Sequence, residues 1–289
     1  MDYQGTVIRP PSEAGSIILQ VTVGCSHNRC TFCGAYQDES FRYKNPAIIA
    51  SDLDYAAKYY PRNNRLFLAD GDVLTIPQHR LVALMGAIKG KLPSVRRVRL
   101  YGNGKSIRSK SLADLLKLRE LGLDRIYMGL ESGDDGVLSA IKKGNTSKQL
   151  IDAVQKVREA GIFLSVTVLL GIAGVDGSAQ HAIATAQVLN QMAPNQIAAL
   201  TVMPIPGTSL ANDIAHGRFQ LPDELIMLQE LKTMVSHITL NKVQFQSNHA
   251  SNFLPIDCRL SRDKEAVLTR IDQALTGEIP LMPDYMRAL

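Results

Sequence analysis

The 289-residue chain has no Trp, and aromatic residues make up only 6% of it. A stacking platform for single-stranded nucleic acid needs more rings than that, so nucleic acid is not an expected partner. No run reaches the roughly 18–20 consecutive apolar residues that a membrane span requires, so no membrane partner is expected. The opening residues, Met1-Asp2-Tyr3-Gln4-Gly5, lack the basic-then-apolar order of a secretory signal. Cysteines number only four, too few and too clustered for a disulfide framework. These absences together predict a cytoplasmic, reducing setting. Charge of one sign is also scarce. A net +5 permits an anionic substrate without demanding a polyanion. The basic groups Arg96, Arg97, Arg99 and Lys142-Lys143 read as solvated surface.

What is present is a cluster. Three of the four cysteines, Cys25, Cys30 and Cys33, fall within nine residues in the spacing Cys-x4-Cys-x2-Cys. They follow an apolar run that reads as a strand. Soft thiolates at this density suit an iron–sulfur cluster or zinc. A cuboidal cluster ordinarily takes four cysteines, so three would leave one iron open, and open metal positions are where chemistry occurs. Zinc remains the alternative, with His27 as a fourth ligand in a Cys3His set. That reading describes a non-enzymatic metal-binding or electron-transfer module.

The chain alternates short apolar runs with helix-period segments, which predicts βα units and a parallel sheet. Strands are expected at 17–23, 65–69, 98–101, 125–130, 163–170 and 196–202. Helices are expected at 46–60, 77–89, 109–121, 135–141, 147–160, 178–192, 209–216 and 223–237. Six such units predict an α/β fold in the form of a partial (β/α)6 TIM-type barrel over residues 1–241. Residues 242–289 read as a C-terminal extension on or near the barrel mouth. It opens with the polar, turn-rich stretch 244–252 and carries a last helix at 262–275.

The cysteine triplet, with Phe32 just before its last member, resembles the signature of the radical S-adenosylmethionine (SAM) superfamily. The usual spacing there is Cys-x3-Cys-x2-Cys, so this chain has one extra residue in the first gap. The resemblance runs from about Ile17 to Gly207 and implies a partial (β/α)6 barrel. It is nearest to a branch related to the oxygen-independent coproporphyrinogen oxidases and the elongator-type proteins. It implies a [4Fe–4S] cluster on Cys25, Cys30 and Cys33, with SAM as the second cofactor. Reductive cleavage of SAM to a 5′-deoxyadenosyl radical would then abstract hydrogen from an unidentified substrate, a small molecule or a macromolecule. An external one-electron donor such as flavodoxin or ferredoxin would be a partner.

The resemblance also nominates cofactor-binding residues. Phe32 belongs to the cysteine loop. Asp70, Gly71 and Asp72 stand where the family usually has Gly-Gly-Glu and receives the SAM ammonium group. Carboxylates and backbone carbonyls are suitable acceptors for that group, although Asp-Gly-Asp also suits a plain turn. Asn103, in Tyr101-Gly102-Asn103-Gly104, is a candidate for SAM or substrate. Glu131 and Ser132, in Met128-Gly129-Leu130-Glu131-Ser132-Gly133, are candidates for the ribose or carboxylate end. A carboxylate at the end of a buried strand is costly without a partner, and a structural Lys or Arg could supply one to Glu131. Ile172 is a candidate for adenine packing. Met203 opens Met203-Pro204-Ile205-Pro206-Gly207-Thr208, a loop expected to line adenine and the substrate mouth. His181 reads as a surface or capping histidine. The catalytic residues acting on substrate are not assigned. Arg42, Lys44, the 247–252 segment and the lone Cys258 have no assigned role, and a lone cysteine is most often a small buried hydrophobe.

Overall fold

The computed structural model describes residues 1–288. The first half of the chain runs β1 (Ile17–Gln20), β2 (Thr22–Val23), β3 (Arg42–Tyr43), α1 (Pro46–Tyr59), β4 (Arg65–Ala69) and α2 (Gln78–Lys91). It continues through β5 (Arg97–Tyr101), α3 (Gly104–Ser109), α4 (Leu112–Glu120), β6 (Leu123–Glu131), α5 (Asp135–Ala140) and α6 (Ser147–Glu159). The second half holds β7 (Phe163–Leu170), α7 (Gly174–Met192), β8 (Gln196–Thr201), α8 (Ser209–Ala215) and α9 (Glu224–His237). It ends with β9 (Val243–Gln246), β10 (Asp257–Leu260) and α10 (Lys264–Leu275). The chain divides into two compact units, one of Met1–Asn28, Ala35–Met128 and Asp152–Leu164, the other of Arg29–Gly34, Gly129–Ile151 and the chain from Ser165 onward.

In the first unit the sheet order is β1-β4-β5-β6, every pair parallel. Parallel strands need helical crossovers that cover the sheet, so their sequences stay apolar. Accordingly Leu66, Phe67, Leu68 and Ala69 of β4 are all fully buried. Local signals set the helix ends. The Asn45 side chain accepts from the Ala47 N–H, with Pro46 at the first helical position, where its missing donor costs nothing. The helix expected over 109–121 is α4, a few residues shorter, and an additional short helix, α3, precedes it. Asn103 caps α3, and Ser111 with Asp114 forms a capping box that starts α4.

The rings of Phe67, Tyr101 and Tyr127 meet edge to face, with centroids 5.1 to 6.1 Å apart. Arg99 is buried, not solvated as its sequence context suggests. Its guanidinium lies 2.7 Å from Glu13 and 3.2 Å from Asp124, and Tyr127 also donates to Glu13. Lys44 is buried in an ion pair with Asp52 at 2.9 Å, and Arg42 pairs with Glu39 at the surface at 3.2 Å. Both basic residues thus have partners within the fold.

In the second unit the order is β7-β8-β9-β10, parallel as far as β9, with β10 antiparallel to β9. The residues from 242 therefore add two strands to the sheet. Val243 and Phe245 are buried between Gln244 and Gln246, a period-2 pattern hidden by the glutamines. The 247–252 segment is tied to β8. Ser251 Oγ accepts from the Thr201 N–H at 3.3 Å, and Asn252 donates to the Ala199 carbonyl at 3.0 Å. Helix α7 packs on α9, and α9 on α10. Half-buried Cys258 sits in β10, its thiol pushed up to about 11 by burial. Among the described residues no helix is long and apolar enough to cross a membrane.

Candidate cofactor site

In the first unit the loop after β2 brings Cys25 against the turn after β4. A Cβ placed on Gly71 would lie 3.0 Å from the Cys25 Cβ, 3.1 Å from its Cα and 3.1 Å from the Tyr36 ring. A side chain here would be tighter than ordinary contact and would need its neighbours to give by a few tenths of an ångström, so glycine suits the close approach. The carboxylates on either side of Gly71 are both fully buried.

Asp72 gathers three loops. Its Oδ2 accepts from Ser26 Oγ at 2.6 Å, in the cysteine loop, and from Asn103 Nδ2 at 2.5 Å, at the end of β5. Its Oδ1 accepts from Ser106 Oγ at 2.5 Å and the Asn103 N–H at 3.4 Å. Burial pushes the Asp72 carboxyl above the usual carboxylate range, against the pull of these hydrogen bonds. Asp70 accepts from Gln20 at 2.7 Å and Tyr36 at 3.2 Å. Burial raises its carboxyl too, offset by Gln20, Tyr36 and the Ile8 N–H. Both carboxylates are thus engaged within the protein. Their turn can still offer an ammonium group its backbone carbonyls.

In the second unit the turn holding Cys30, Phe32 and Cys33 is fastened at Thr31. The Thr31 N–H donates to the Ile141 carbonyl at 3.0 Å, and its own carbonyl accepts from the Leu210 N–H at 2.9 Å. A Cβ on Gly34 would fall 2.4 Å from Ile205 Cγ2, so the turn lies against the loop that Met203 opens. Met203 and Phe32 are half-buried. Glu131 has a left-handed backbone, φ 64°, and its carboxylate pairs with Lys143 at 2.7 Å. A strained non-glycine backbone of this kind is uncommon and concentrates at functional turns. The partner that a buried carboxylate requires is therefore Lys143. Ile172 is buried, 2% exposed, directly after the end of β7.

Ser132 is fully buried, and it leads to residues that sequence reasoning missed. Its Oγ lies 2.8 Å from Nδ1 of His181. His181 is neither a surface nor a capping residue. Helix α7 begins at Gly174, earlier than expected, so His181 stands beyond its first turn, at 0% exposure. Its Nε2 lies 3.2 Å from the Leu169 carbonyl and 3.4 Å from Glu230 Oε1. Burial drops the His181 imidazole to about 4, partly opposed by its bond to Leu169. Glu230, on α9, accepts from the Gly171 N–H at 2.9 Å and also from Ser178. Burial lifts its carboxyl to about 7. The signal in the sequence was a lone carboxylate inside the apolar stripe of α9, among Met227, Leu231 and Met234.

None of the four cysteines is in a disulfide. Among the described residues no three His, Cys, Asp or Glu side chains stand in metal-holding proximity. The fit to a cluster therefore rests on the donor chemistry and on the close seat of Cys25 over Gly71. Three half-buried thiols within nine residues, one of them packed on a glycine turn, suit soft iron.

Residues 19–184, more than half of the chain, match the Radical SAM superfamily. The chain belongs to the radical SAM superfamily. It is accordingly an enzyme whose cofactors are a [4Fe–4S] cluster and SAM. It is 25% identical over 174 residues to 4'-phospho-dehydrooxetanocin synthase of Priestia megaterium, covering 53% of this chain and 23% of that protein. It is 24% identical over 173 residues to a tRNA-2-methylthio-N(6)-dimethylallyladenosine synthase of Marinomonas sp. (strain MWYL1), covering 57% of this chain and 38% of that protein. The chain thus matches well under half the length of either relative. Among solved structures, coproporphyrinogen III oxidase (HemN) from Escherichia coli superposes with a TM-score of 0.57 at 16% identity, covering 76% of this chain and 52% of that one. That likeness gives the radical SAM α/β fold, the partial-barrel class expected from the strand–helix rhythm.

Proposed function

We propose that Cys25, Cys30 and Cys33 ligate one [4Fe–4S] cluster and leave one iron for SAM, and that the enzyme abstracts hydrogen from a small-molecule substrate. The observation that carries this reading is the triplet of cysteines, none in a disulfide, inside the region that matches the family. When bound, cluster and SAM together supply a 5′-deoxyadenosyl radical after one electron from an external donor such as flavodoxin or ferredoxin.

The protein's own part is to bind, orient and exclude water. Gly71 lets the Asp70–Asp72 turn lie against Cys25, so backbone carbonyls are at hand for the SAM ammonium group. Asp72 holds Ser26 and Asn103, and so fixes the cysteine loop relative to the ends of β4 and β5. Glu131 and Ser132 serve the polar end of SAM by placing the backbone of their turn, since Lys143 and His181 already engage their side chains. Ile172 and Met203 supply apolar surface for adenine. Residues 242–289 extend the second unit, and their 247–252 segment braces β8.

The test is anaerobic reconstitution with iron and sulfide, followed by dithionite and SAM. Formation of 5′-deoxyadenosine supports the reading. One tightly held zinc per chain, with no brown chromophore, supports the non-enzymatic metal module instead.

A further inference from the structure

We propose that His181 and Glu230 are positioning residues that lock together the two turns assigned above to SAM, the one after β6 at Ser132 and the one after β7 at Gly171. This inference rests on the proposed cofactor reading and extends it to residues that make no cofactor contact.

The donors and acceptors determine the arrangement. A carbonyl can only accept, so the Leu169 oxygen 3.2 Å from Nε2 requires the proton to be on Nε2. Nδ1 is then an acceptor, and the Ser132 hydroxyl donates to it across 2.8 Å. Ser132 Oγ in turn accepts from the Asp134 N–H at 3.0 Å. Beside it, Thr185 of α7 accepts from the Gly133 N–H at 2.9 Å. Gly133 packs directly on the backbone of α7, where a Cβ would lie 2.4 Å from the Ala184 carbonyl oxygen. The turn after β6 is thus held to α7 at consecutive residues. On the other side Glu230 Oε1 takes the Gly171 N–H, and Oε2 takes the Ser178 hydroxyl of α7.

A serine, a histidine and a carboxylate in sequence would suggest nucleophilic chemistry. Here Ser132 and His181 are 0% exposed and Glu230 is 1% exposed, so no substrate can reach the hydroxyl. Every polar atom of the set is directed at backbone or at a neighbouring member. Such a satisfied buried network specifies one geometry. What it specifies is the relative placement of two turns. Helix α9, far along the chain, thereby acts on both.

The test uses the full-length, anaerobically reconstituted protein, compared by hydrogen exchange without SAM and by SAM binding. His181→Phe keeps an aromatic ring and removes both polar contacts. Glu230→Leu removes the acceptor for Gly171, and Glu230→Gln retains one. Exchange over residues 129–134 should rise about tenfold in His181→Phe, and over 169–174 in Glu230→Leu, with β4 and β5 unchanged. Both variants should raise the KM for SAM about tenfold with kcat within about twofold, and Glu230→Gln should stay close to wild type. Wild-type exchange at both turns, or a rise spread evenly along the chain, would overturn the positioning role. Wild-type protein that binds no SAM would overturn the cofactor reading instead, and the exchange arm then decides the positioning role by itself.

Discussion

Replacing Glu230 with Gln should change how the stability of this protein depends on pH. In the folded chain burial lifts the Glu230 carboxyl from 4.5 to about 7, and drops the His181 imidazole from 6.5 to about 4. For Glu230 the folded state holds the proton more tightly than the unfolded chain. Its contribution is therefore complete below pH 4.5 and is lost as the pH rises through about 7. For His181 the folded state holds the proton less tightly. Its contribution is complete above pH 6.5 and is lost as the pH falls through about 4. Each amounts to about 3 kcal/mol across its window, from ~1.4 kcal/mol per pH unit of displacement. The two slopes oppose each other between pH 4.5 and 6.5 and nearly cancel in the wild type. Glu230→Gln removes one of them. The difference in unfolding free energy, variant minus wild type, should rise by about 3 kcal/mol from pH 4.5 to 7.5. His181→Phe should show the opposite trend, gaining on the wild type as the pH falls. Urea unfolding of the apo protein at pH 4.5, 5.5, 6.5 and 7.5, followed by circular dichroism, reads both. A difference constant within ~1 kcal/mol over that range would refute the assignment of these two shifted groups.

Other consequences concern the cysteine loop and its supports. Gly71→Ala should force the Cys25 backbone aside and lower the iron content after reconstitution, with a stability loss of about 1–3 kcal/mol; undiminished iron would contradict the close seat of Cys25. Gly133→Ala should be more damaging, because its Cβ would meet backbone atoms of Ala184 and Thr185 at 2.4 and 2.5 Å and not a flexible side-chain end. A melting temperature within a degree of wild type would count against that packing. Asp72→Ala should leave Ser26, Asn103 and Ser106 without their common acceptor and destabilise the chain by several kcal/mol; thermal unfolding of the apo protein measures it. Cys258→Ala should leave cluster content and SAM cleavage nearly intact, as read by iron analysis and 5′-deoxyadenosine assay.

Much of the fold was legible because parallel strands declare themselves. The strands over 65–69 and 163–170 are mostly apolar and bounded by turns, and both occur with the expected limits. Pro46 after Asn45 fixed the start of α1 in the same way. The reading lost detail where two local signals stood close together. Asn103 and Ser111 are both N-caps, and the short helix that Asn103 starts ahead of the expected one reads as a turn. It also lost detail where polar side chains alternate with buried ones, as in β9.

At the site, residue types and turns were readable but their partners were not. Asp70, Asp72, Glu131 and Ser132 stand at strand ends as the motifs suggest. Yet Gln20, Ser106, Lys143 and His181, which engage them, come from distant points of the sequence. His181 read as superficial because the start of α7 was placed after Gly174-Val175-Asp176, and a glycine-containing first turn gives a weak helix signal. Glu230 carried a signal, a carboxylate on an apolar helix face, whose meaning depends on which backbone N–H it meets.

The central claim is that three cysteines hold a cluster that serves SAM. The most direct test is to reconstitute wild-type protein and the Cys25→Ala, Cys30→Ala and Cys33→Ala variants anaerobically with iron and sulfide, then supply dithionite and SAM and assay 5′-deoxyadenosine. The account predicts about four irons per chain and 5′-deoxyadenosine from the wild type, and neither from any of the three variants. A wild-type protein with a complete cluster that yields no 5′-deoxyadenosine, or a single-cysteine variant that retains full cluster and activity, would contradict it.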